Sequence, residues 1–206
     1  MPQPPIRRTQ AERRATTRAR ILDATAASLV EKGYAATTVS EVQERAGVAR
    51  GTLQHHFPTR SELLVAATTH VVDLRLAAFR RSIDEMADDT DRIGTTVELA
   101  WNDLSGPVFY AAVELWVAAR TDPELRANLV AEEERVFREM RTLYAEALGP
   151  DLADDPRAAT LVEFTVDFLS GLSMTAMLTG KRPEQEKNVE QWKRALAVLA
   201  EAFPLS

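Results

Sequence analysis

Apolar residues recur at three- and four-residue spacings in one segment after another, which predicts an all-α fold of about nine helices. Leu22, Ala26, Leu29 and Val30 set the stripe of a first helix over about Thr16–Lys32, with Tyr34 sealing the same small core. Val39, Val42 and Ala46 lie on one helical face at i, i+3 and i+7, and Thr38 with Glu41 has the spacing of a capping box. Gly47 can take positive φ without a Cβ penalty, so the chain can turn there. Val48, Leu53 and Phe57 supply a second apolar edge, on a helix over about Arg50–His56. Two short helices joined by a Gly-containing turn make a helix-turn-helix, whose second member can enter the major groove of DNA.

Longer helices follow. Thr59, with Glu62 three residues on, caps a fourth helix that reaches Met86 and carries Leu64, Ala67, Val71, Leu74 and Ile83 on its stripe. A charged loop, Asp88-Asp89-Thr90-Asp91, separates it from a fifth over Arg92–Leu104, where Ile93, Val97, Trp101 and Leu104 face inward. Gly106-Pro107 opens a sixth over Pro107–Arg120, Asp122-Pro123 starts a seventh, and Gly149-Pro150 stops it. The eighth, about Pro156–Leu178, is apolar on most of its circumference and needs more than one partner surface. The ninth, about Pro183–Phe203, spaces Val189, Trp192, Leu196, Leu199 and Phe203 as a heptad seam.

Composition narrows the chemistry. With no cysteines in 206 residues, disulfides, thiolate catalysis and Cys-ligated zinc are excluded. The opening Met-Pro-Gln-Pro-Pro-Ile-Arg-Arg lacks the apolar core of a signal peptide and reads as irregular. The most apolar stretch, Leu161 to Leu178, carries Glu163 and Asp167, so no membrane span is expected and the chain reads as a soluble cytoplasmic protein. Net charge is −6, but it is unevenly placed. Residues 1–60 hold ten Lys/Arg against five Asp/Glu, a net of +5; residues 61–206 hold fifteen against twenty-six, a net of −11. A basic front on an acidic body is expected where only one end meets phosphates. Arg7, Arg8, Arg13, Arg14, Arg18 and Arg20 are either a solvated helix face or a basic arm on the DNA backbone, and phosphate contact is favoured for some of them.

From Ile21 to Leu64 the chain strings together Gly33-Tyr34, Thr37-Thr38-Val39, Ala46-Gly47-Val48, Gly51-Thr52-Leu53, His56-Phe57 and Arg60 with Glu62-Leu63-Leu64. This multi-part run resembles the DNA-binding domain of TetR-family transcriptional regulators. The resemblance implies an N-terminal three-helix helix-turn-helix domain with a basic arm, residues 1–60, and a C-terminal helical ligand-binding and dimerisation domain, residues 61–206. It departs from the family pattern at Gln43, where a small residue is usual, at Ala49, where Ser or Thr caps the reader helix, and at Gln54, where Tyr is usual. Loss of the cap should weaken that helix start by about 1 kcal/mol. The expected DNA-binding residues are Thr38, Arg50, Thr52, Gln54, His55, His56 and Arg60. Arg50 can read guanine, Gln54 adenine, and Thr52 a phosphate or thymine methyl. Arg60, in the first turn of the fourth helix, suits a phosphate. His55 and His56 point about 100° apart, which disfavours a shared metal ion, and no metal or other cofactor is expected.

The second domain offers Trp101, Phe109, Trp116, Phe137, Tyr144 and Phe168 as lining for a small, mostly apolar ligand, although aromatics at such spacing are more often plain core. Glu132-Glu133-Glu134 reads as a solvated face, because consecutive helical positions splay. Phe164, Phe168, Leu172, Trp192, Leu196 and Leu199 either pack within one subunit or form the four-helix interface of a homodimer, and the family resemblance favours the dimer. No nucleophile is paired with a base, so no enzyme is expected. The expected function is a sequence-specific transcriptional regulator, a repressor released from a palindromic double-stranded DNA operator by an unknown small-molecule effector. The alternative is an all-α ligand-binding protein whose reader has degenerated, which Gln43, Ala49 and Gln54 favour.

Overall fold

The computed structural model describes residues 9–86, 91–149 and 156–201. They form nine helices and no strand: α1 (Gln10–Ala36), α2 (Val39–Ala46), α3 (Arg50–His56), α4 (Arg60–Glu85), α5 (Arg92–Leu104), α6 (Pro107–Ala119), α7 (Pro123–Ala147), α8 (Pro156–Thr179) and α9 (Arg182–Glu201). The all-α architecture matches the reading from spacing. Arg7, Arg8, Asp88 to Thr90, Pro150 and Phe203 lie outside the described residues.

Local chemistry sets most boundaries. Thr9 and Glu12 form a reciprocal capping box, so α1 begins well before the expected Thr16. Its regular turns break at Gly33 (φ 76°), a conformation only glycine adopts without strain. Thr38 caps α2 by accepting from the Glu41 N–H, but the Glu41 carboxylate turns to Lys32 (2.7 Å) and does not complete the box. Gly47 (φ 59°) lets the Val48 N–H reach back to the Gln43 carbonyl at 3.2 Å, which ends α2. Ala49 gives α3 no side-chain cap. Thr59 caps α4 and Asp122 caps α7.

Three apolar cores run through the molecule. The first joins α1, α2, α3 and the first turns of α4 through Ile21, Leu22, Val42, Leu53, Phe57, Leu63 and Ala67. The second, around Leu29, Leu64, Leu115, Leu125 and Leu129, ties α1 and α4 to α6 and α7. The third fills α4–α9 around Leu76, Phe79, Trp101, Phe109, Leu143, Tyr144, Leu169 and Leu196. The start of α4 thus belongs to the first core while its remainder belongs to the larger half. Two expected stripes shift. In α1 the buried face runs through Ile21, Leu22, Ala24, Thr25, Ser28 and Leu29, and Val30 is exposed; in α4 Leu74 is exposed while Leu76 and Phe79 turn inward.

By length and composition alone, the segment Arg157–Thr179 of α8 could cross a membrane. It packs against α5, α7 and α9, while Phe164, Phe168, Met174 and Met177 on its far side remain exposed.

Candidate DNA-reading face and internal cleft

The outward side of α3 is polar and unengaged. Arg50, Thr52, Gln54 and His55 are exposed, and among the described residues their side chains make no hydrogen bond or ion pair. The inward side is Leu53 and Phe57, both buried. This division follows from the helix being one face deep: the reader's core takes one edge and leaves the rest to solvent. Thr38 stands exposed at the start of α2, with its hydroxyl accepting the capping bond. Arg13, Arg14 and Arg18 are exposed on α1, and the Arg18 guanidinium sits 5.2 Å from the centre of the Phe57 ring. His56 is partly buried. Burial first, then the nearby Arg14, His55 and Arg18 charges, hold its pKa below the ordinary histidine value.

Arg60 has a different position from the one expected of a phosphate contact. Its Nε donates to the Thr37 carbonyl (3.0 Å) and one terminal nitrogen to the Tyr34 carbonyl (2.5 Å), with the guanidinium 4.4 Å from the centre of the Tyr34 ring. The broken end of α1 leaves these carbonyls without helical partners, and Arg60 is the residue that satisfies them. From the other side, the Tyr34 N–H donates to the Glu114 carboxylate of α6 at 2.5 Å. A Cβ on Gly33 would lie 2.7 Å from that carboxylate. Residues 33–37 are therefore a joint held by α4 from one side and by α6 from the other.

In the larger half, α6 and α7 enclose an open groove of about 750 Å³, floored by Trp116, Leu129 and Phe137 and rimmed by Arg120, Arg126, Arg138 and Arg141. A narrow inner cleft of about 70 Å³ continues from it toward α4, past Phe109, Val72 and Met140. Trp116 and Phe137 divide the two spaces, their rings stacked at 6.2 Å, and Phe109 meets Trp116 edge-on at 5.8 Å. A drug-sized ligand needs about 300 Å³ or more, which the groove offers and the inner cleft alone does not.

Of the residues expected to line a ligand site, Phe109, Trp116 and Phe137 border these spaces. Trp101, Tyr144 and Phe168 do not. Trp101 is buried against α9 with Arg182 over its ring, and Tyr144 is fully buried in the third core against Phe79. Phe168 lies on the outer surface, its ring tilted against Trp192 with centres 5.1 Å apart. The acidic triplet also needs correction. Glu132 borders the cleft and the exposed Glu134 borders the groove, but Glu133 borders both and accepts the Trp116 indole N–H at 2.6 Å. Burial raises its pKa above the ordinary glutamate value, and the indole bond opposes this. The spacing of the triplet shows that the three splay; which one faces inward depends on α6, which no pattern on α7 reports.

The outer face of α8 and α9 is apolar. Phe164 (58% exposed), Met174, Met177, Val198 and Leu199 are open to solvent, with Leu172 and Trp192 half-buried beside them. Leu196 departs from the expected seam: it is buried in the third core with Val189, and the Trp192 indole donates to Thr165. Both faces of α9 are apolar, so spacing alone assigns its residues to the wrong side. Among the described residues no cluster of His, Asp or Glu could hold a metal ion.

The sequence profile of bacterial regulatory proteins of the tetR family matches residues 21–67, which span the end of α1 to the start of α4. The HTH-type transcriptional regulator CymR of Pseudomonas putida is 34% identical over 156 residues, 73% of this chain and 77% of CymR. Two solved structures share the fold. One is a transcriptional regulator from Saccharomonospora viridis in complex with choline, 20% identical, covering 91% of this chain and 96% of that one at a TM-score of 0.63. The other is the multidrug binding protein EbrR complexed with ethidium, 22% identical, covering 92% and 99% at a TM-score of 0.62. With its reader motif, its helical second half and a relative that it covers over most of its length, the chain belongs to the TetR family of bacterial regulatory proteins and is a transcriptional regulator, not an enzyme.

Proposed function

We propose that the protein is a homodimeric repressor whose two α3 helices enter successive major grooves of a palindromic operator, and that a small molecule in the α6–α7 groove and inner cleft releases it. The unengaged polar face of α3, seated on a fully apolar inner edge, carries the DNA reading. Arg50 stands at the N-terminal end of α3, where a bidentate contact to guanine is possible, and Gln54 follows one turn later for adenine. Thr52, His55 and Thr38 flank them, and the α1 arginines add backbone contacts. Two-fold symmetry sets the half-sites about 34–36 Å apart.

Dimerisation through α8 and α9 is supported by the exposed Phe164, Phe168, Met177 and Leu199, which form an apolar surface that a monomer would leave wet. The effector reading is supported by the groove itself and by two proteins of the same fold having been crystallised with choline and with ethidium. Helix α4 lines the inner cleft through Thr68, Thr69 and Val72 and supports the reader through Leu63 and Ala67, so a ligand that widens the cleft bears on the reader's footing. Such a ligand shifts DNA binding only by its differential affinity for the two conformations.

Fluorescence anisotropy against DNA from upstream of the protein's own gene and against shuffled DNA, at two salt concentrations, tests the reading. Salt-sensitive binding that prefers the upstream DNA is the expected result. Absence of binding to any DNA would instead favour the ligand-binding protein with a degenerate reader.

A further inference from the structure

Charges around the inner cleft are matched with one exception. Arg75 on α4 pairs with Asp103 on α5 at 2.6 Å, and Glu132 pairs with Arg135 at 3.2 Å. Glu133 makes no ion pair among the described residues; the neutral Trp116 indole is its hydrogen-bond partner. Its carboxylate lies in an apolar wall built from Trp116, Phe137, Phe109 and Leu129. A carboxylate in such a setting is unfavourable unless a positive charge joins it. Two of the rings beside it are stacked, and aromatic faces attract cations. The arginines at the groove's rim point the other way, toward an anion. They are exposed, so water and salt weaken them, and Arg141 already pairs with Glu163. An anion that reached the floor would face Glu133.

We infer that the effector is an organic cation with an apolar or aromatic body, its positive charge held by the Glu133 carboxylate against the Trp116 and Phe137 rings. This rests on the reading of the α6–α7 groove as the effector site. The cation replaces the missing counter-charge, its body fills the space between the rings, and Trp116 gives up or shares its bond to Glu133. A neutral molecule of the same shape gains the ring contacts and leaves the carboxylate unpaired.

Tetraphenylphosphonium and tetraphenylborate, ions of near-identical shape and opposite charge, separate charge from shape. Each is titrated calorimetrically into the full chain, into Glu133→Gln and into Phe137→Ala, with thermal melting of every variant. The expected result is that tetraphenylphosphonium binds about tenfold or more tightly than tetraphenylborate, and that Glu133→Gln loses most of that preference. Because glutamine keeps an acceptor for the indole and removes a buried charge, that variant should melt no lower than the parent, which separates lost recognition from lost folding. Equal or tighter binding of the borate, weakened by Phe137→Ala, would overturn the cation while leaving the groove as the site. Phosphonium binding unchanged in Glu133→Gln would overturn the role of that carboxylate. Binding of neither ion would overturn both the cation and the groove.

Discussion

The two halves of this protein place their functional groups in opposite ways. In the reader, the apolar residues interlock, and Arg50, Thr52, Gln54 and His55 of α3 are exposed with no side-chain hydrogen bond or ion pair among the described residues. In the larger half, Glu133, Trp116 and Phe137 point toward one another between helices, and the outer surface of α8 and α9 is apolar. A DNA reader meets a partner larger than itself and needs a rigid base with free side chains. A small-molecule site must surround its partner and leaves charge or space unsatisfied until it arrives. Truncations within the base and within the wall should therefore fail differently.

The largest effect is expected in the reader's base. Leu53→Ala removes a side chain that is 1% exposed and should cost about 2–5 kcal/mol, abolishing DNA binding while the larger half stays folded. Limited proteolysis with circular dichroism would show cleavage confined to the first sixty or so residues; uniform loss of helix would mean that the halves fold as one unit. Phe164→Glu, on the exposed face of α8, should convert the proposed dimer to a monomer in sedimentation velocity without lowering helix content. Arg50→Ala should weaken operator binding by about 1–3 kcal/mol and relax preference at one base pair; an equal loss on every sequence would reassign Arg50 to a phosphate. Glu133 gives a pH signature. Its folded pKa is raised, so its contribution to stability is fully present below the ordinary glutamate range and is lost as pH rises through the raised value. Melting of Glu133→Gln should lack that decline. The smallest effect is Ala49→Ser, which supplies the missing cap of α3 and should add about 1 kcal/mol of stability, read as a raised denaturant midpoint with unchanged operator preference.

The same contrast explains what the sequence could reveal. The helix-turn-helix is legible because its determinants sit within twenty residues: Thr38 starts α2, Gly47 ends it, and Leu53 with Phe57 fixes which side of α3 is hidden. The expected long helices likewise follow from Pro, Gly and Asp at their ends. Side-chain roles that depend on distant helices were not legible. Arg60 looks like a free cation until the broken end of α1 is folded against it. Leu196 and Leu199 look alike on α9, and only the packing of α5 and α8 decides that the first is buried and the second faces out. Glu133 is one of three consecutive glutamates until α6 brings Trp116 to it from seventeen residues away. Early capping by Thr9 was hidden by a proline-rich start that reads as irregular.

The joint at Gly33 links the two modes of recognition. A sensor-half carboxylate there holds a reader-half backbone N–H, and no residue of either the α3 face or the groove takes part. In genetic terms, position 33 and position 114 are where single substitutions should leave operator affinity and effector affinity intact yet sever the communication between them. Screens for loss of response would then return changes at this joint alongside changes in the groove, and measuring effector binding directly would sort the two classes.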